Sequence, residues 1–136
     1  MKARCITAPH YGDSAERFLQ IAENALRTVQ VAGHTLVVKR YKRPNIFQKI
    51  TYSWFGPDKS KRAFSFAQRL LEHGIDTPAP AAYVEWRKGS LTERYFFFCE
   101  LTTATSLSET ETPGQPLPED AAEAFAAFLA EMHSKG

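Results

Sequence analysis

Two kinds of apolar pattern alternate along the chain. From Thr35 to Tyr41, the run Leu36, Val37 and Val38 is followed by Lys39. A β-branched run of this kind favours a strand buried on at least one face. A lysine at the end of such a run is costly to bury unless an anion meets it. From Asp58 to His73 the period changes. Ala63, Phe64, Phe66, Ala67, Leu70 and Leu71 recur at helical spacing, and packing against a sheet explains so broad an apolar face. Asp58 is suited to cap the start of this helix, and Gly74 to end it in the left-handed conformation. Ala81 to Trp86 and Leu91 to Leu101, joined by Arg87-Lys88-Gly89-Ser90, predict a hairpin. The unbroken apolar run Tyr95-Phe96-Phe97-Phe98-Cys99 marks its second strand as a central one.

The amino-terminal third is harder to read. Lys2 to Thr7 fits a short edge strand, and Pro9 to Asp13 reads as loop. In 17–32, Phe18, Ile21, Ala22, Ala25, Leu26 and Val29 fit a helical stripe, while Leu26, Thr28, Val29 and Val31 fit a strand. The β-branched residues after Leu26 and the Gly33 turn favour a hairpin over 26–41, and 17–22 is taken as a strand. Residues 44–57 form an apolar connector broken by Pro44 and Gly56-Pro57. Residues 102–118 are rich in Ser and Thr and hold Pro113, Pro116 and Pro118, as a mobile linker does. From Pro118 to Ser134, acids in the first turns and a face of Phe125, Phe128, Leu129 and Met132 predict a last helix.

Charge and composition narrow the function classes. The chain has 136 residues, about one domain's worth, and a net charge of +2, which does not by itself imply a polyanionic partner. The charge is uneven. Between Lys39 and Arg62 there are eight Lys and Arg and one acid, Asp58, whereas Glu109 to Glu131 holds no basic residue. The basic block suits ligand phosphates or a membrane surface, and a solvated strand-and-helix face explains it equally. No run reaches the roughly 18 apolar residues of a membrane span, and no apolar region follows Met1-Lys2 as a secretory signal requires. Cys5 and Cys99 read as free thiols of a cytoplasmic protein. His10, His34, His73 and His133 are scattered, so no metal site is expected from spacing.

In this order the segments V-V-K-R-Y-K-R-P-N at 37–45, S-K-R-A-F at 60–64, A-Q-R-L-L-E-H-G-I-D-T-P-A-P at 67–80, A-Y-V-E-W-R-K-G at 82–89, Y-F-F-F-C-E-L at 95–101 and A-E-M-H-S-K-G at 130–136 resemble the lipopolysaccharide kinase family, in particular Kdo kinase-like enzymes. The resemblance covers most of the chain from about Asn24 onward. It implies an α+β fold: a protein-kinase-like small lobe over 1–101, with an antiparallel sheet of about five strands and one helix across it. A hinge or linker over 102–117 would follow, then over 118–136 the first helix of a large lobe.

By the same resemblance, Lys39 corresponds to the lysine that holds the α- and β-phosphates of ATP. Glu100, Leu101 and Thr102 fall where a hinge backbone meets adenine, and Val31, Val37 and Cys99 fall on the apolar walls of that cleft. The implied activity is ATP- and Mg²⁺-dependent phosphorylation of a sugar, Kdo or heptose, of lipopolysaccharide core or a lipid A precursor, in contact with the inner membrane surface. The catalytic-loop and DFG-type motifs do not occur in these residues, and the resemblance places them and the Mg²⁺ ligands beyond Gly136. The chain alone is therefore expected to be inactive.

Two features depart from the family pattern. The expected loop between the first two strands, Ala22-Glu23-Asn24-Ala25, has no glycine and carries an acid where phosphates would lie. The helix position expected to hold a glutamate partner for Lys39 is Ser65, with Lys61 one turn earlier. These departures leave a second reading open, a pseudokinase-like or partner-binding α+β module without catalysis. For Lys39 alone, the corresponding alternative is an exposed edge-strand lysine that discourages sheet pairing.

Overall fold

The computed structural model describes residues 2–24, 27–41, 59–105, 109 and 113–136. The connector 44–57 and the cap at Asp58 lie outside them, as does part of the linker. The chain divides into two compact units, 1–101 and 102–136.

The first unit is α+β, built on a five-stranded antiparallel sheet. Its elements are β1 (Lys2–Thr7), a 3-10 segment (Pro9–Ser14), α1 (Ala15–Glu23), β2 (Thr28–Val31), β3 (His34–Tyr41), α2 (Lys59–Glu72), β4 (Pro80–Lys88) and β5 (Leu91–Glu100). The strands lie in the order β1-β4-β5-β3-β2. β1 is an edge strand, as the sequence suggests. β5 is the central strand, and Tyr95 through Cys99 are all buried because both of its faces are covered. The two-residue turn Ala32-Gly33 has φ of 50° and 81°, which fits a tight hairpin between β2 and β3.

Residues 17–22 correct the sequence expectation: they lie in helix α1, not in a strand. Phe18, Ile21 and Ala22 are buried while Arg17 and Gln20 are exposed. A period of 3.6 puts the three apolar residues on one stripe, whereas a period of two would send Phe18 and Ile21 to opposite faces. The expected loop at 22–25 is corrected with it. Ala22 is buried in α1, and Asn24 caps the helix by donating its N–H to the Gln20 carbonyl. The fifth strand of the sheet is β1, at the far edge beside β4.

Strand alternation sorts the sheet side chains onto two faces. One face carries Val29, Val31, Leu36, Val38, Ala82, Val84, Phe96 and Phe98, packed under Tyr11, Phe18, Ile21 and Ala22. The Phe18 and Phe98 rings meet edge to face at 4.8 Å, and both residues are fully buried. Burying a side chain of this size stabilises by about 1.5–3 kcal/mol. The other face carries Tyr83, Phe97 and Cys99 against Phe64 and Ala67 of α2, with Val37 and Tyr41 partly buried beside them. Helix α2 stops where the sequence says it should. Gly74 has φ of 70°, and the Ile75 N–H reaches back to the Leu70 carbonyl at 2.9 Å.

The second unit contains α3 (Glu119–Lys135), preceded by Pro118. Glu119 and Asp120 stand at its positive end, and Lys135 pairs with Glu131 at 2.6 Å. None of its residues is buried, and Phe125 and Phe128 are exposed.

Candidate functional site

Lys39 lies on the α2 side of the sheet. Val37, Lys39 and Tyr41 alternate onto that face, and the β3–β5 register sets Val37 opposite Cys99 and Lys39 opposite Phe97. The Lys39 ammonium stands 6.0 Å from the centre of the Phe97 ring, at the outer limit of a cation–π contact. An open cleft of about 170 Å³ runs between this corner of the sheet and α2, lined by Lys39, Phe97 and Cys99 and by Ala63, Phe66, Ala67 and Leu70, and closed by Thr77 and Pro78. Among the described residues the exposed lysine is the cleft's one charged lining group, with apolar walls on both sides. Such a corner suits one anionic group at a time.

The Cys99 thiol is pushed up by burial, and the Lys39 ammonium pulls it partly back. It therefore stays protonated near neutral pH and acts as a small apolar wall rather than a nucleophile. The Tyr41 hydroxyl is likewise pushed up, by burial first and by Cys99 second.

The residues named from the sequence do not all gather here. Val37 and Cys99 do, beside Lys39. Val31 does not, and this corrects the expectation of one cleft walled by all three. The hairpin register pairs Val31 with His34, which puts it on the Leu36 and Val38 face, inside the α1-side core. Glu100 and Leu101 lie at the end of β5, and their N–H groups donate to Ala79 and Thr35 carbonyls, both at 2.9 Å. Those donors are spent inside the sheet. Thr102 is the first residue of the second unit, where its hydroxyl accepts from the Ala104 N–H at 3.1 Å. Ser65 is not among the residues lining the Lys39 cleft. The helix positions that are there, Ala63, Phe66, Ala67 and Leu70, carry no carboxylate.

A second cleft, of about 540 Å³, opens at the end of the sheet where β3 and β4 begin and β5 finishes. Its wall carries a chain of polar contacts that the spacing of the sequence does not reveal. Glu100 Oε1 accepts from the Tyr11 hydroxyl at 3.0 Å and lies 3.0 Å from His34 Nδ1. The Nε2 atoms of His34 and His10 are 3.0 Å apart. The Tyr11 hydroxyl is pushed up to about 12, by burial first and then by its hydrogen bond to Glu100 and that carboxylate's charge. Glu72 and Gln68 of α2 line the same cleft, so the acid at the end of α2 serves this end of the sheet and not Lys39.

Neither a family model, nor a curated protein, nor a solved structure matches the chain. No described helix is long and apolar enough to cross a membrane.

Proposed function

We propose that residues 1–101 are the nucleotide-phosphate-binding lobe of an ATP-dependent kinase whose acceptor is a sugar hydroxyl of lipopolysaccharide core. The observation that carries this reading is the grouping of Val37, Lys39, Phe97 and Cys99 on the one sheet face that α2 covers, with an open cleft at the ammonium. A strand lysine facing a helix resembles the placement of the lysine that meets nucleotide phosphates in protein-kinase-like enzymes. The resemblance of the ordered segments from 37 to 101 supports the assignment to that family.

In this reading, Lys39 holds α- and β-phosphate oxygens by charge-assisted hydrogen bonds, in a corner where apolar walls limit competing water. The volume of about 170 Å³ is well under the roughly 300–1,000 Å³ of a typical small-molecule site, so it takes phosphate rather than a whole nucleotide. Mg²⁺ would neutralise charge on the transferred phosphoryl group. The described residues of this cleft include no carboxylate and do not fit that ion. Nor do these residues include a carboxylate base for a sugar hydroxyl.

A fluorescent ATP analogue tests the reading. The wild-type protein should bind it, and Lys39→Ala should weaken binding about ten- to a hundredfold, the loss of one charge-assisted contact worth roughly 1.5–3 kcal/mol. Equal binding by the two proteins would refute it. One observation favours a second reading, a partner-binding module without catalysis: the α2 residues facing Lys39 are apolar, so nothing on that helix fixes the ammonium. A wild-type protein that binds no nucleotide at all would support that alternative.

A further inference from the structure

The geometry points to a divalent transition-metal site made by His10 and His34 at the mouth of the second cleft. The two imidazoles come from elements far apart in sequence, the 3-10 segment after β1 and the first residue of β3. The fold nevertheless brings their Nε2 atoms to 3.0 Å, with the rings nearly perpendicular, at 86°. Two imidazole nitrogens on one tetrahedral zinc, each about 2.0–2.1 Å from it, lie roughly 3.3 Å apart. The observed pair needs only a few tenths of an ångström of opening. His10 is exposed on a short 3-10 segment, so that movement displaces no core residue.

The surroundings are those of a ligand rather than of a chance contact. His34 Nδ1 lies 3.0 Å from Glu100 Oε1, and the Tyr11 hydroxyl donates to the same oxygen. A metal-bound histidine characteristically gives its other ring N–H to a carboxylate, which fixes the tautomer and aims the free nitrogen outward. A proton on Nδ1 accepted by Glu100 leaves Nε2 as the His34 nitrogen that faces His10. Among the described residues no group of three or more His, Cys, Asp and Glu converges. The described residues supply two ligands, and the cleft of about 540 Å³ leaves room for water or a ligand oxygen at the other positions. Two imidazoles suit Zn²⁺, Ni²⁺ or Cu²⁺ rather than Mg²⁺ or Ca²⁺. The site shares no lining residue with the Lys39 cleft and does not depend on the nucleotide reading.

The test uses the whole chain, free of nucleotide, titrated with Co²⁺ followed by its visible d–d absorption, and with Zn²⁺ by calorimetry. One ion per chain is expected, with Co²⁺ bands of low coordination number. His10→Gln and His34→Gln should each weaken binding at least tenfold. Glu100→Gln should weaken it about ten- to a hundredfold while leaving both ligands in place. His73→Gln should change nothing, because that ring is not among the residues lining this cleft and has its Nδ1 against the Arg69 carbonyl. Because His10 is exposed, His10→Gln reads the site without risk to folding. An absence of one-to-one binding below about millimolar metal, or unchanged affinity in His10→Gln, would overturn the proposal and leave the two histidines as a hydrogen-bonded pair only.

Discussion

The two faces of the sheet in the first unit are built from the same strands and do different work. The α1 face is closed: Phe18, Ile21, Leu36, Val84, Phe96 and Phe98 are each at most 1% exposed. The α2 face is partly open. Phe66 is 55% exposed on the helix above it, and Lys39 stands beside a cleft. The difference comes from strand alternation at neighbouring residues. Val38 points into a filled core while Val37 and Lys39 point to the side with space. A closed face confers stability, and an open face with one cation at its edge is where the proposed anion would bind.

The largest test of this contrast removes a ring from the closed face. Phe98→Ala should cost about 3–5 kcal/mol, a cavity under Phe18 that close packing cannot fill. Phe66→Ala, on the open side, should cost less than about 1 kcal/mol because most of its ring is already in water. Urea midpoints at constant slope measure both. Similar losses from the two would break the comparison.

A smaller effect sharpens the geometry around Lys39. Phe66→Glu puts a carboxylate on the α2 face lining that cleft, whereas Ser65→Glu puts one outside it. Phe66→Glu should raise nucleotide affinity roughly threefold through an exposed ion pair of under about 1 kcal/mol, with Ser65→Glu near wild type. A gain from Ser65→Glu alone would place the lysine against a different face of the helix.

A separate effect is a pH dependence at the closed face's rim. The Tyr11 hydroxyl rises from 10.0 to about 12 on folding. A raised folded value means that the protonated form is favoured in the native state, so its contribution is present below pH 10 and is lost as pH climbs towards 12. Stability should fall over that window, and Tyr11→Phe should flatten the fall. Urea midpoints at pH 9, 10 and 11 for both proteins check the sign, and identical slopes would contradict it.

Much of this architecture is written locally. Gly33 and the β-branched runs on either side declare the β2–β3 hairpin, Gly74 declares the end of α2, and the run from Tyr95 to Cys99 declares a strand covered on both faces. Helix α1 was obscured because its stripe runs straight into the strand-forming residues that follow Leu26. The kinase-like resemblance also asks for a strand there, although Phe18, Ile21 and Ala22 already have the spacing of a helix. The placement of Val31 was not legible for another reason. The face a strand residue takes depends on the turn, and pairing Val31 with His34 across two residues sends it away from Val37. The contact of His10 with His34 is a property of the whole sheet. It requires the β1–β4 and β3–β5 registers together, which no spacing within the chain expresses. Ser65 falls outside the cleft while its neighbour Phe66 lines it, because adjacent helix residues point about 100° apart.

Val37 and Val38 are neighbours on opposite faces, so their methyl groups report separately on the two sides of the sheet. Methyl resonances of the protein, recorded while ATP is added, test most directly the claim that the α2 face takes the ligand. The Val37 methyls should shift in proportion to saturation while those of Val38 and Val31 stay fixed, and Lys39→Ala should suppress the shift. Movement of Val38 and Val31 with Val37 unmoved would put the ligand on the α1 face and contradict the account.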